Sequence, residues 1–317
     1  MTKRIVRSVI LWAAGAACLL AQPSADVHVW PVRDNIYMIV GAGGNITVQT
    51  GKDGVLVVDS GLANMSDKVL AAIRSISKGP IRYLINTHYH PDHVGGNEAI
   101  RKAGSTISGG NVAFDLGANA SEGAQVIAHE NVLNRVSAPT GKQSAIPTGG
   151  WPTDTFIDDE KKMFFNGEGI EIIHMPNAHT DGDSIVFFRR TDVIATGDLF
   201  TTVMYPVIDT AAGGNIQGIV EALNRIVDLI IPVYGQEGGT LVVPGHGRLC
   251  DLGDVINYRE MTIIIRDRIQ DMVKKGMTLE QVKAAKPTFD YDPLYGTSTG
   301  FWTTDMFVEA VYKSLKK

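Results

Sequence analysis

The sequence predicts an α+β fold in which two β-sheets pack face to face with helices outside. Three observations carry that expectation. Each half of the chain opens on short β-rich runs and turns helical later. The run "GVLVVDSG" is apolar almost throughout, as a strand buried on both faces is. The stretches richest in histidine, acid and glycine stand where strands meet loops, which is where a sheet scaffold presents chemistry.

The first half supplies "NIYMIV", "NITVQT" and "GVLVVDSG", parted by glycine-bearing turns at Gly41 to Gly44 and Lys52 to Gly54. Met65 to Ser77 reads as an amphipathic helix with Val69, Ile73 and Ile76 on one face. The strand "IRYLINT" then leads into "THYHPDHVGGN". In the second half "IEIIHM", "SIVFF" and "DVIATGD" are strands, Gln217 to Ile231 is a helix, and "GTLVVPGHG" is a strand ending in a loop. Apolar positions at Ile256, Ile263 to Ile265 and Ile269 make Val255 to Lys274 a helix, and Thr303 to Leu315 is a last one. Ser137 to Phe156, rich in proline and glycine, is expected to be a long loop carrying Trp151.

The N-terminus reads as an export signal. Lys3, Arg4 and Arg7 precede an apolar run, Val9 to Leu20, too short to span a bilayer, and the cleavage expected after Ala21 would leave residues 22–317. An uncleaved anchor helix and lipidation at Cys18 are the alternatives, although Gly15-Ala16-Ala17 is a poor lipidation signal. The expectation is a periplasmic or secreted protein with no further membrane span. Removing the leader takes three cations and no acid, moving the formal charge from −5 to −8. An acidic chain repels a phosphate backbone, so nucleic acid is an unexpected partner. Cys250 would then be the one cysteine, so no intramolecular disulfide helps to hold the fold.

Three of the eight histidines fall within six residues, as His88, His90 and His93, with Asp92 among them. Pro91 makes an extended turn the expected conformation, from which neighbouring side chains fan toward two adjacent metals. Imidazole and carboxylate are both zinc ligands. His179 in "NAHTDGDS", Asp198 in "ATGDLF" and His246 in "VPGHG" stand at other strand ends beside or near glycine. Together these seven residues form a ligand set for two metals.

With these motifs the chain resembles the metallo-β-lactamase-fold superfamily of hydrolases over essentially the whole mature sequence. The resemblance implies a four-layer αββα sandwich. It implies that His88, His90 and His179 bind one Zn2+, that Asp92, His93 and His246 bind a second, and that Asp198 bridges them. Asp59, in "VVDSG", would orient a ligand from behind. Two metals would share a bridging hydroxide, made available near neutral pH, that attacks an acyl carbonyl. Asp92 and Asp198 are then catalytic as well as ligating, and Tyr205 is a candidate donor to the developing oxyanion. The sequence has neither the thiol that some metallo-β-lactamases carry where Asp198 stands nor their lysine for the substrate carboxylate. The aspartate is what glyoxalase II-like thioesterases and lactonases use.

His174 competes with His179, and the His-Thr-x-Gly context favours His179. Asn215 is expected to cap a helix, Trp151 is a candidate wall over the site, and Cys250 is expected to be a buried small residue. His28 and His129 match no motif position. The loops 41–45, 137–156 and 201–215 are glycine-rich and apolar and hold one cation, Lys142, which points to a compact small-molecule acyl substrate, uncharged or singly anionic. Export makes a β-lactam the first choice, ahead of a lactone or thioester. Redox proteins and nucleases of the same fold are more distant: the former replace motif histidines with acids, and the acidic surface disfavours the latter.

Overall fold

Short runs rich in β-branched residues build a first sheet of seven strands in the computed structural model, which describes residues 26–106, 123–140, 143–230 and 238–316. The leader expected at 1–21 and the loop residue Lys142 lie outside the described residues. The seven strands are β1 (His28–Arg33), β2 (Ile36–Val40), β3 (Ile46–Gly51), β4 (Gly54–Val58), β5 (Ile81–Ile85), β6 (Gln125–His129) and β9 (Asp154–Phe156), in that spatial order. The first four form an antiparallel meander, and β4, β5, β6 and β9 run parallel. Every residue of β4 is buried, as its unbroken apolar run requires. A short ribbon, β7 (Pro139–Thr140) and β8 (Gln143–Ser144), interrupts the expected long loop.

The second sheet orders β10 (Glu160–Phe165), β11 (Glu168–Met175), β12 (Asp183–Phe188), β13 (Val193–Ala195) and β14 (Leu241–Val243), with only the last pair parallel. Ile36, Met38, Leu56 and Ile85 of the first sheet pack against Ile170, Ile172, Val186 and Phe188 of the second. Helices cover the outer faces. On the first sheet lie α1 (Ser66–Ile76) and α3 (Asn97–Lys102), with the short α2 (Pro91–Val94) and α4 (Glu130–Ser137) sharing a smaller cluster beside them. On the second lie α5 (Ile216–Ile230), α6 (Leu252–Lys274), α7 (Leu279–Ala284), α8 (Asp292–Tyr295) and α9 (Thr304–Leu315). This is the αββα sandwich. Among the described residues no helix is long and apolar enough to cross a membrane.

The histidine motif differs from its expected form. His88 sits in the bend that follows β5 and His90 on extended chain, whereas Asp92 and His93 lie in α2, with Pro91 at its first turn. Proline is accepted there because the amide it lacks has no intrahelical acceptor, and its fixed φ suits the helix start. One short segment thus presents two side chains from the chain ahead of the helix and two from a helical turn.

Candidate metal centre

Parallel β4 and β5 end on the same edge of their sheet, and β13 and β14 end on the corresponding edge of the other. β12 begins there because it runs antiparallel to β13. Four ligand-bearing loops therefore meet at one edge of the sandwich. Backbone bonds fix their approach: Ser184 N donates to the Thr87 carbonyl at 2.7 Å, and Asn45 N to the Gly245 carbonyl at 2.7 Å. A Cβ on Gly245 would lie 2.1 Å from Asp198 Oδ1, and one on Gly44 2.3 Å from the His93 ring, so both positions accept only glycine.

The seven expected ligands fall into two groups, His88, His90, His179 and Asp198 in one and Asp92, His93 and His246 in the other. Within each group one ligand atom per residue lies within 4.8 Å of all the others. Asp198 faces both: its Oδ2 is 3.8 Å from His179 Nε2 and 4.0 Å from His88 Nε2, while its Oδ1 is 3.1 Å from His93 Nε2 and 3.4 Å from His246 Nε2. His246 Nε2 lies 3.2 Å from Asp92 Oδ2. His90 enters through Nδ1, 2.9 Å from His179 Nε2.

Electrostatics match a cation-binding pair of sites. Burial, with the His93 and His179 rings beside it, pushes His88 well below the ordinary imidazole range, so its lone pair is free. Burial opposes charge on His93, but the Asp198 and Asp59 carboxylates outweigh it and hold the ring well above its ordinary value. His246 is likewise raised against burial, to about 9, by Asp198 and Asp92. Asp198, despite burial, is held well below the usual carboxylate range by His93 and His246. Protons held so firmly between acids mark the places a dication would take. His88 Nε2 is buried with no hydrogen-bond partner, an arrangement that costs free energy unless something else binds it.

A second layer holds these groups in place. Asp59 Oδ1 accepts from Thr87 N at 2.8 Å, and its Oδ2 accepts from Thr87 Oγ1 at 2.7 Å and from His93 Nδ1 at 2.8 Å. His179 Nδ1 donates to the Val207 carbonyl at 2.8 Å. Asp209 was not among the expected residues. Its Oδ2 accepts from Tyr89 Oη at 2.5 Å and from His90 Nε2 at 3.2 Å, while its Oδ1 accepts from the amides of Ala211 and Ala212. Hydrogen bonds from His90 and Tyr89 hold its carboxyl well below the usual range. In sequence it reads as an ordinary turn acid before Thr210 and two alanines, and nothing local joins it to His90, 119 positions away.

Tyr205 stands elsewhere than expected. Its ring is buried and stacks on Phe307 with centroids 4.7 Å apart. Its hydroxyl donates to Asp292 Oδ1 at 2.8 Å and lies 3.2 Å from the Thr288 carbonyl, and burial with the Asp292 contact raises its pKa. Committed to that carboxylate, it is not the oxyanion donor. Trp151 donates its indole N–H to the Ile146 carbonyl at 2.9 Å and packs with Tyr89, the neighbour of His90, against a small cluster around Val132. His174 lies outside both groups and stacks on His129 at 3.6 Å. Asn215 Oδ1 accepts from Gln217 N at 2.8 Å, the expected capping role. Cys250 is buried, and burial pushes its thiol up to about 12, which removes its nucleophilic character. His28 lies exposed on β1.

The αββα sandwich gathers imidazoles and carboxylates along one edge, the donor set of a metal-binding centre. Residues 39–250 match the model of the metallo-beta-lactamase superfamily, and the chain belongs to that family. It is 25% identical over 294 residues to a linear primary-alkylsulfatase from Pseudomonas sp. (strain ATCC 19151), covering 77% of this chain and 52% of that protein. The chain thus spans about half the length of that curated relative. A stereoselective inverting sec-alkylsulfatase from Pseudomonas sp. superposes with a TM-score of 0.61 at 15% identity, over 90% of this chain and 50% of that one. A metallo-beta-lactamase from Pontibacter korlensis gives a TM-score of 0.55 at 17% identity, over 75% of this chain and 99% of that one.

Proposed function

We propose a two-metal hydrolase, with zinc the ion best suited to this imidazole-rich set. His88, His90 and His179 would hold one ion and Asp92, His93 and His246 the other, with Asp198 between them. The reading rests above all on His88 Nε2, buried, unpartnered and turned toward Asp198. Bound divalent metal would acidify water toward neutrality and polarise a substrate oxygen. The chain's own contribution is positional. Asp92, His246 and His90 are the ligands that solvent reaches most, and Asp92 is the most exposed of them. From there the Asp92 carboxylate can orient a water or accept its proton. Asp59 and Asp209 keep the His93 and His90 rings aimed inward.

The substrate proposed is a compact acyl compound, a β-lactam first, then a lactone or thioester. The pairing of Arg248 with Asp254, at 2.6 Å and 2.8 Å, supports an uncharged or singly anionic one, because that nearby cation is already neutralised. A sulfate ester is the second reading, favoured by the similarity to a linear primary-alkylsulfatase over 77% of this chain. Kinetics of zinc-loaded protein on a chromogenic cephalosporin, a lactone, a thioester and a linear alkyl sulfate separate these. A specificity constant about a hundredfold higher for the sulfate than for every acyl substrate would replace the first reading by the second. Export, proposed from the leader alone, is tested by the mass of the N-terminus of protein recovered outside the cytoplasm.

A further inference from the structure

The loops carrying Asp198 and His246 continue into a cleft of about 490 Å³ that the metal centre does not use. Phe200, Thr202 and Val203, shortly after Asp198, line it together with Arg248, two residues after His246. The loops are joined directly: Thr202 N and Thr201 Oγ1 donate to the His246 carbonyl at 3.1 and 3.2 Å. The facing wall comes from Asp254 and Asn257 of α6 and from Leu294 and Tyr295 of α8, all beyond the residues that match the family. That wall is firmly attached. Tyr205 grips Asp292 at the start of α8, Tyr258 of α6 donates to the Met204 carbonyl at 3.0 Å, and Tyr295 lies edge-on to Tyr258 at 5.5 Å.

Two side chains in this cleft are unexpectedly exposed for their type, Val203 at 51% and Leu294 at 73%. Its charged pair, Arg248 with Asp254, is bidentate and mutually neutralised. A volume of this order suits part of a small molecule, and apolar walls beside a neutral pair favour an uncharged apolar group. We propose that this cleft is the subsite for an apolar substituent of the substrate, alkyl or aryl, lying next to the bond that is cleaved. The segment 251–295 then sets the substrate range of the enzyme. The inference rests on the hydrolase reading above, and Tyr205 acquires a role in it as the residue that positions α8.

The test compares 4-nitrophenyl octanoate with 4-nitrophenyl acetate on zinc-loaded protein, and adds saturation-transfer NMR with 1-octanol as a readout independent of turnover. Val203→Asp and Leu294→Asp are the variants, each at an exposed position, with melting temperature as the control for folding. Each fully buried methylene is worth about threefold to fourfold, so burying two or three of the six extra methylenes gives the parent a preference of about tenfold or more, mostly in KM. Both variants are expected to abolish that preference and the octanol signal. A parent without the preference, or variants that keep it, would overturn the subsite. If the parent hydrolyses neither ester, the octanol signal decides alone. Saturation in the parent but not the variants supports the cleft, and equal saturation or none removes it.

Discussion

Replacing Asp59 by asparagine disturbs the centre without touching a proposed ligand. Asp59 has a left-handed backbone, φ 63°, which asparagine tolerates better than most residues, so the turn survives the exchange. The carboxylate receives three donors: Thr87 N on Oδ1, and Thr87 Oγ1 and His93 Nδ1 on Oδ2. An amide has one oxygen to offer. Placed toward His93, it turns its NH2 onto the Thr87 amide; placed toward Thr87 N, it turns its NH2 onto His93 Nδ1–H. Either way, two buried donors face each other. Losing a charge-assisted bond and stranding a buried donor costs about 2–4 kcal/mol, read from urea unfolding of the metal-free protein. A loosened His93 also weakens the ion it would hold by about 10- to 100-fold, measured by competition with a chromophoric chelator. An unfolding free energy changed by less than about 0.5 kcal/mol, with metal affinity within about twofold of the parent, would show that Asp59 does not hold His93.

Asp198→Asn should lower turnover by about a hundredfold or more with folding retained, because a neutral amide cannot offset two adjacent cations; steady-state kinetics and circular dichroism check this. His179→Ala should lose metal from the His88 group, whereas His174→Ala should keep full stoichiometry by elemental analysis. Burial and the His129 ring hold His174 down to about 4, against an ordinary 6.5. The unfolded chain therefore takes up that proton first, and stability falls as pH drops from 6.5 toward 4. With solvent screening on its open side, His174→Gln should flatten that fall by about 1–2 kcal/mol in urea titrations at pH 7 and 4.5. Asp209→Asn should lower activity by about 10- to 100-fold by releasing His90, and an unchanged rate with unchanged metal affinity would make Asp209 a turn residue only.

The parts of this molecule legible in its sequence are those written in short-range patterns. The unbroken apolar run of β4 and the helical period of α1 and α6 depend on neighbours a few residues apart, and so does the spacing of His88, His90, Asp92 and His93. Strands β1, β9 and β10 escaped because their residues mix charge and apolarity without clean alternation, and β6 because its apolar run is only Val126 to Ala128; β10 is an edge strand that leaves Phe164 exposed. The helical turn in the motif was hidden by Pro91, read as a helix breaker although it stands at the one turn that accepts it. Tyr205 and Asp209 were misplaced or missed for a common reason. Their partners, Asp292 and His90, are remote in sequence and meet them only through the tertiary fold.

The central claim is that seven side chains form two adjacent metal sites, and anomalous diffraction from a zinc-loaded crystal tests it most directly. The account predicts two peaks per chain, one among His88, His90 and His179 and the other among Asp92, His93 and His246, with Asp198 reaching both. A single peak, or none within reach of His88 Nε2, would contradict it.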